Sequence, residues 1–431
     1  MKKWRKKVGC FLIVSLLLLQ TVIASAAEVH NDEVYPIATN SISGWPQGPD
    51  TYAETAVLME ADTGAILYNK GMNELRYPAS ITKIMTALLA IENCSMDEQV
   101  IFTEDCLADQ VAGSGNVGMQ VGEILTVKQC LLLTMVQSAN DVATQIAVHV
   151  GGSVATFADM MNQRAQELGC VNTHFVNASG MPDDNHYTTA YDMALIFREA
   201  IKNDIFREII STISFTIEPT NRNPETRTYS THHALLAPSA PQLYEGCFGG
   251  KTGNTNASRH TLVSGAERNG MTLIAVALRA DAGEVCQDHI QMFDYGYNNF
   301  EKIQVPGGSV VVPKGTDVSS LKVVDTETEG KTEQLYYYQN DVYVGEGVKT
   351  EQVEEESPLV ITPEIAEEDP AVSPTQEAAQ SVEGNNTVMK DVFRKLIGIL
   401  LGMIVVVLVI TVYSSGKKKK RKRRRRQEKR K

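Results

Sequence analysis

Strand-forming sequence stands on both sides of a long helical block in this chain, so any sheet it builds must be closed by segments far apart in sequence. The first strands are 56–60 and 65–68, split by Asp62-Thr63-Gly64, which reads as a β-hairpin with a Gly-bearing turn. Pro78 stops the chain, and Ile84, Leu88 and Ile91 then keep helical spacing. From 122 to about 201 the pattern is mainly helical, with breaks at Gly151-Gly152 and Gly169. Strand sequence returns at 244–252, 260–266 and 272–278, and a helix over 288–295 follows. This order predicts an α/β or α+β fold in which helices cover an antiparallel sheet.

The ends of the chain read differently. Residues 1–26 carry a basic start, an apolar run and Ala24-Ser25-Ala26, the pattern of a signal peptide. Residues 27–50, with scattered Asn, Ser, Gly and Pro, read as an exposed lead-in, and 51–300 as the main domain. Residues 301–348 are β-rich, with 309–312 and 335–344 as strands, and are too short to sustain a core alone. They are expected to lean on the main domain. The acidic, Pro-bearing segment 349–390 reads as a linker, 396–413 as a transmembrane helix, and 417–431 as a basic cytoplasmic tail. These readings place the main domain outside a cell membrane that it reaches through one helix.

The formal net charge of −12 hides an asymmetry, because without residues 1–26 and 417–431 the remainder holds 22 basic and 51 acidic residues. Such acidity excludes nucleic acid as an expected partner. Six cysteines remain after residue 26, enough for three disulfides or equally for buried free thiols. No CxxC spacing occurs, and His232-His233 lacks a third ligand at metal-like spacing, so no metal site is expected and that histidine pair reads as surface.

Three islands carry chemistry: Ser80-Ile81-Thr82-Lys83, Ser138-Ala139-Asn140 and Lys251-Thr252-Gly253. In the first, a hydroxyl and an amine lie one helical turn apart on one face. Serine needs a base to take its proton, and a desolvated lysine near another cation can serve. A lone SxxK is weak; the ordered triple marks penicillin-binding proteins and class A β-lactamases.

The residues around the islands narrow the choice. Tyr77-Pro78-Ala79-Ser80-Ile81-Thr82-Lys83-Ile84-Met85-Thr86-Ala87, Phe175-Val176-Asn177-Ala178-Ser179-Gly180, the run from His186 through Ala194, and Gly249-Gly250-Lys251-Thr252-Gly253 resemble the low-molecular-weight penicillin-binding D-alanyl-D-alanine carboxypeptidases, the S11 serine peptidases. The resemblance implies a penicillin-recognising, β-lactamase/transpeptidase-like domain, often with a small β-domain and a C-terminal membrane anchor. It implies Ser80 as nucleophile, Lys83 as base and Ser138 as proton relay. Asn140, Lys251, Thr252 and Gly253 then bind substrate, and the backbone N–H groups of Ser80 and Asn254 form the oxyanion hole. The implied partners are a peptidoglycan stem pentapeptide and β-lactam inhibitors, with no cofactor.

Departures are visible. The family commonly has Ala-Gly where this chain has Ser258-Arg259, which are expected to narrow or recharge the cleft, and His is common where Asn254 stands. His186 reads as structural, since the lysine already fills the base role. Two other readings stay open. A class A β-lactamase would need a deacylating glutamate, for which Glu167 is the nearby candidate. A membrane-tethered peptidoglycan-binding protein would keep the fold without activity.

Overall fold

A computed structural model of the chain describes residues 28–349, apart from 112, 329–330 and 340. The signal peptide, nearly all of the linker, the transmembrane helix and the basic tail read from the sequence lie outside the described residues. Among the described residues no helix is long and apolar enough to cross a membrane.

Strands β1 (Thr55–Glu60) and β2 (Ile66–Lys70) form the expected hairpin. Two short pairs follow within the helical block, β3 (Gln99–Ile101) with β4 (Ile124–Thr126) and β5 (Ser214–Ile217) with β6 (Arg227–Ser230). The long strands β7 (Cys247–Thr255), β8 (Arg259–Arg268) and β9 (Met271–Ala280) return to the first hairpin, giving an antiparallel sheet of order β2-β1-β9-β8-β7. Leu58 lies opposite Ala275, so the sheet is closed across the whole helical block.

Every residue of β1 is buried, because both of its faces are covered. Val57 and Met59, with Ile274, Val276 and Leu278 of β9, join a core with helices α1 (Lys83–Asn93), α2 (Val127–Val136), α3 (Asn140–Gly151), α4 (Val154–Glu167), α5 (Ala190–Ala200) and α6 (Asp204–Ser211). Ala56 and Leu58, with Leu273, Ala275 and Ala277, face a second core that holds α7 (Glu284–Asn299). The period-two alternation of strand side chains thus divides one apolar sequence between two cores.

The second core also holds the appended unit, an antiparallel sheet of β10 (Phe300–Val305), β11 (Gly308–Pro313), β12 (Lys322–Thr328), β13 (Lys331–Tyr338) and β14 (Val342–Val348). As expected it leans on the catalytic domain, through Val310, Val311, Val312, Tyr336 and Val344. The single strand read at 335–344 is two strands, broken where Gln339 turns left-handed at φ 49°. The lead-in is not simply exposed. Trp45 is buried, with ring centroids 5.0 Å from Phe300 and 5.4 Å from Tyr338, and its indole N–H donates to Leu67 O at 3.0 Å. A ring of that size has more to gain from the groove between the two sheets than from water.

Candidate active site

Ser80 sits in a short 3-10 turn, Ala79–Thr82, that runs into α1 at Lys83. Three residues per turn bring positions i and i+3 almost into register, closer than the α-helix expected from sequence. The turn is held against the strain of Ala79, a non-glycine residue at φ 52°. Thr261 of β8 donates its hydroxyl to Pro78 O at 2.9 Å, and Thr82 Oγ1 lies 2.8 Å from His186 Nε2.

Two glycines close on the peptide that carries Ser80. A β-carbon at Gly180 would lie 1.9 Å from Ala79 O, and one at Gly253 would lie 3.0 Å from Ser80 N and 2.3 Å from Thr261 Oγ1. The bare backbone at Gly253 therefore faces the turn that carries Ser80.

Lys83 is fully buried. Its Nζ lies 2.9 Å from Ser80 Oγ, 2.6 Å from Asn140 Oδ1 and 2.5 Å from Ser179 O. A neutral amine fits this shell: two N–H bonds point at the two carbonyl oxygens, and the lone pair is left for the serine hydroxyl. Burial and the neighbouring Lys251 charge hold the Lys83 pKa well below its ordinary value, against the opposing pull of Asp109 and Asp141.

Ser138 lies between α2 and α3, where the sequence places a short loop, and is left-handed at φ 61°. Lys251 on β7 donates to Ser138 Oγ at 3.0 Å and to Thr252 O at 2.8 Å. Burial alone brings its pKa down to about 7. Lys251 is thus a conditional cation, and an arriving carboxylate favours its charged form.

These groups border a cavity of about 700 Å³, lined by Ser80, Ser138, Asn140, Thr252, Gly253 and Asn254 together with Met181, His232 and His260. Every site residue read from the sequence is thus in or directly beneath one cleft.

Asp141, Asp109 and Ser179 carry no motif role in the sequence reading. The buried Asp141 carboxylate accepts from Met119 N at 3.0 Å and Val117 N at 3.3 Å, and Asn140 N donates to Gly115 O at 2.7 Å, which docks residues 115–119 beside the cleft. Asp109 accepts from Thr144 Oγ1 at 2.5 Å and Ser179 Oγ at 3.0 Å, steadying the carbonyl that Lys83 uses. The adjacency of Asp141 to Asn140 and the place of Ser179 in the 175–180 run are the signals the sequence held; Asp109 had none.

Two sequence readings change. Ser258 is buried under the β7–β8 turn, 2.8 Å from Thr255 Oγ1, and Arg259 pairs with Asp281 at 2.5 Å, so neither lines the cavity. Arg259 has φ 51°, a left-handed position that glycine takes without cost, which explains the glycine common there in the family. Of the histidine pair read as surface, His233 is buried with Nε2 3.0 Å from Ser264 Oγ, while His232 lines the cavity. Glu167, the candidate for a deacylating base, ends α4 in an ion pair with Arg164 and does not line the cavity.

His186 is structural, as read: its Nδ1 accepts from Val176 N at 3.1 Å, and burial lowers its pKa to about 3. The six cysteines among the described residues are free thiols, so the disulfide alternative is not realised.

Fold and site define an active-site-serine architecture in which a lysine, not a histidine, sits on the serine. Residues 43–282 match the peptidase S11 family, described as D-alanyl-D-alanine carboxypeptidase. The chain is 32% identical over 301 residues to D-alanyl-D-alanine carboxypeptidase DacF of Bacillus subtilis, covering 63% of this chain and 75% of that one. It is 33% identical over 258 residues to DacB2 of Mycobacterium tuberculosis, covering 58% and 84%. The crystal structure of the Streptomyces K15 DD-transpeptidase superposes with a TM-score of 0.55 at 29% identity, covering 59% of this chain and 100% of that one. The chain belongs to the S11 peptidase family.

Proposed function

We propose that this chain is a serine-type D-alanyl-D-alanine carboxypeptidase, removing the terminal D-alanine of peptidoglycan pentapeptides through an acyl-enzyme on Ser80. The observation that carries this reading is the Lys83 amine, seated on Ser80 Oγ with its two remaining directions taken by Asn140 and Ser179.

Ser80 attacks the carbonyl between the two D-alanines as Lys83 takes its proton. The oxyanion develops between the backbone N–H groups of Ser80 and Asn254, where each donor contributes about 3–4 kcal/mol of barrier lowering. Lys251 and Thr252 hold the terminal carboxylate, and that carboxylate keeps Lys251 charged. Ser138, bonded to Lys251, passes a proton to the leaving amine. Asn140 turns its Nδ2 toward the cavity, where Met181 is its protein neighbour, and can bind the substrate's peptide group. Water then hydrolyses the acyl-enzyme, and a β-lactam acylates the same serine and leaves slowly. The signal peptide, the apolar 396–413 segment and the basic tail support an exported enzyme anchored by one C-terminal helix.

The test is release of D-alanine from a pentapeptide ending in D-Ala-D-Ala, with loss of release in Ser80→Ala. Stable labelling by a fluorescent penicillin without any D-alanine release would favour the inactive binding protein. Rapid turnover of the penicillin would favour the β-lactamase. The placement of Glu167 outside the cavity speaks against that last outcome.

A further inference from the structure

Beyond the cleft, three side chains converge that no sequence spacing marks. Cys94, Glu98 and His149 each offer a ligand atom, and these atoms all lie within 4.8 Å of one another. His149 Nε2 is 2.9 Å from Glu98 Oε1. None of the three lines the active-site cavity.

The backbone under each residue is fixed. Cys94 caps the C-terminus of α1, its N–H donating to Ala90 O at 3.0 Å. Glu98 closes a tight turn by donating to Ser95 O at 3.1 Å, and its carbonyl accepts from Val127 N at 2.9 Å. His149 lies in the last turn of α3, which ends at the left-handed Gly152. Two helix C-termini therefore direct the negative ends of their dipoles at one spot, where a cation is favoured. Cys94 and His149 are half-buried and Glu98 is exposed, which leaves an entry path.

Sulfur, imidazole and carboxylate form a mixed donor set suited to zinc, with a fourth position free for water. We propose that Cys94, Glu98 and His149 bind a divalent transition cation of the zinc class, which ties together the C-terminal ends of the two helices that begin at Lys83 and Asn140. On binding, the Cys94 S–H bond breaks, its proton passes to solvent, and the sulfur electron pair forms the metal bond without any redox change. The Nε2 proton that His149 donates to Glu98 shifts through solvent to Nδ1, Nε2 then gives its lone pair to the metal, and a Glu98 oxygen completes the set. Cys94 follows Lys83 by 11 residues and His149 follows Asn140 by nine, so the ion sits roughly 14–17 Å from the chemistry and acts on stability.

The experiment uses the untagged full-length chain, stripped of metal by a chelator and titrated with Co²⁺ as the spectroscopic probe and Zn²⁺ as competitor. One equivalent of Co²⁺ should bind with a thiolate-to-metal charge-transfer band that Zn²⁺ displaces. Cys94→Ser should abolish the band and weaken Zn²⁺ binding by more than about 100-fold, the upper range for losing a partner one layer further out. Zn²⁺ should raise the melting temperature of the parent chain but not that of Cys94→Ser. His149→Gln and Glu98→Gln provide independent variants should Cys94→Ser fail to fold, with penicillin labelling of Ser80 as the check. A parent chain that takes up no stoichiometric Co²⁺ or Zn²⁺ overturns the proposal. So do variants that bind Zn²⁺ as tightly as the parent.

Discussion

Each wall of the cleft buries a lysine, and the two walls treat it differently. On the helical wall Lys83 has three oxygen neighbours and a second lysine nearby, and its pKa lies well below the ordinary value. On the strand wall Lys251 has two oxygen neighbours, and burial alone brings it to about 7. The first environment suits a proton acceptor, the second a cation that completes itself when a carboxylate arrives. Two equally conspicuous lysines are thus set apart by their surroundings.

The largest expected effect breaks the helical wall. Ser80→Ala should abolish penicillin labelling, and Lys83→Ala should lower the rate of acylation by at least about 10⁴-fold with the fold intact. Labelling of Lys83→Ala at the parent rate would sink the assignment of the base.

Next comes the strand wall. Lys251→Met should lower kcat/KM for the peptide by about 10²-fold or more, because the buried carboxylate loses its partner. The same variant should be more stable than the parent at pH 8. In the parent the folded pKa lies below the unfolded one, so the unfolded chain binds the proton more tightly, and stability rises with pH between about 7 and the ordinary lysine value. Thermal melts of both proteins across that window check the sign.

The pH profile sharpens the comparison. Activity should rise as Lys83 loses its proton and fall as Lys251 loses its own, placing the alkaline limb of kcat/KM near pH 7 in the free enzyme. Lys251→Arg should move that limb upward, since a guanidinium stays charged. An unmoved limb would assign it to another group.

A smaller effect reads the tolerance of the turn that the two walls share. Gly180→Ala, at φ 83° and with its new carbon aimed at Ala79 O, should destabilise by about 1–3 kcal/mol in denaturant titration and slow acylation. The smallest is at the departure from the family. Arg259→Gly relieves a left-handed arginine and loses only an exposed ion pair, so stability should rise by up to about 1 kcal/mol while kcat/KM stays within about twofold.

Much of the site was legible because its chemistry is written in short stretches. Ser80 and Lys83 are three residues apart, and a single turn aligns them whatever the rest of the chain does. The β1–β2 hairpin and the loop at Ser138 were legible for the same reason, since turn residues and apolar periodicity act locally. The parts played by Asp109 and Asp141 were not, because their partners are set by how residues 104–111 and 113–119 pack on α3, and Ser179 was visible only as part of a run, not as the partner of Asp109. Ser258-Arg259 were misplaced, since they sit at the β7–β8 turn, where the hydrogen bonds of Ser258 to Thr255 and the left-handed Arg259 with its partner Asp281 turn both side chains away from the cleft.

By itself the sequence determined the three islands, their order and the strand, helix, strand pattern that must close into one antiparallel sheet. The tertiary structure decided what those groups are. It buried two lysines to different chemical ends, set Gly180 and Gly253 against the nucleophile's turn, and drew Cys94, Glu98 and His149 to one point. The reason is physical: a residue's type and local spacing travel with the chain, whereas its dielectric, its charged neighbours and its hydrogen-bond partners come from segments that only folding brings near.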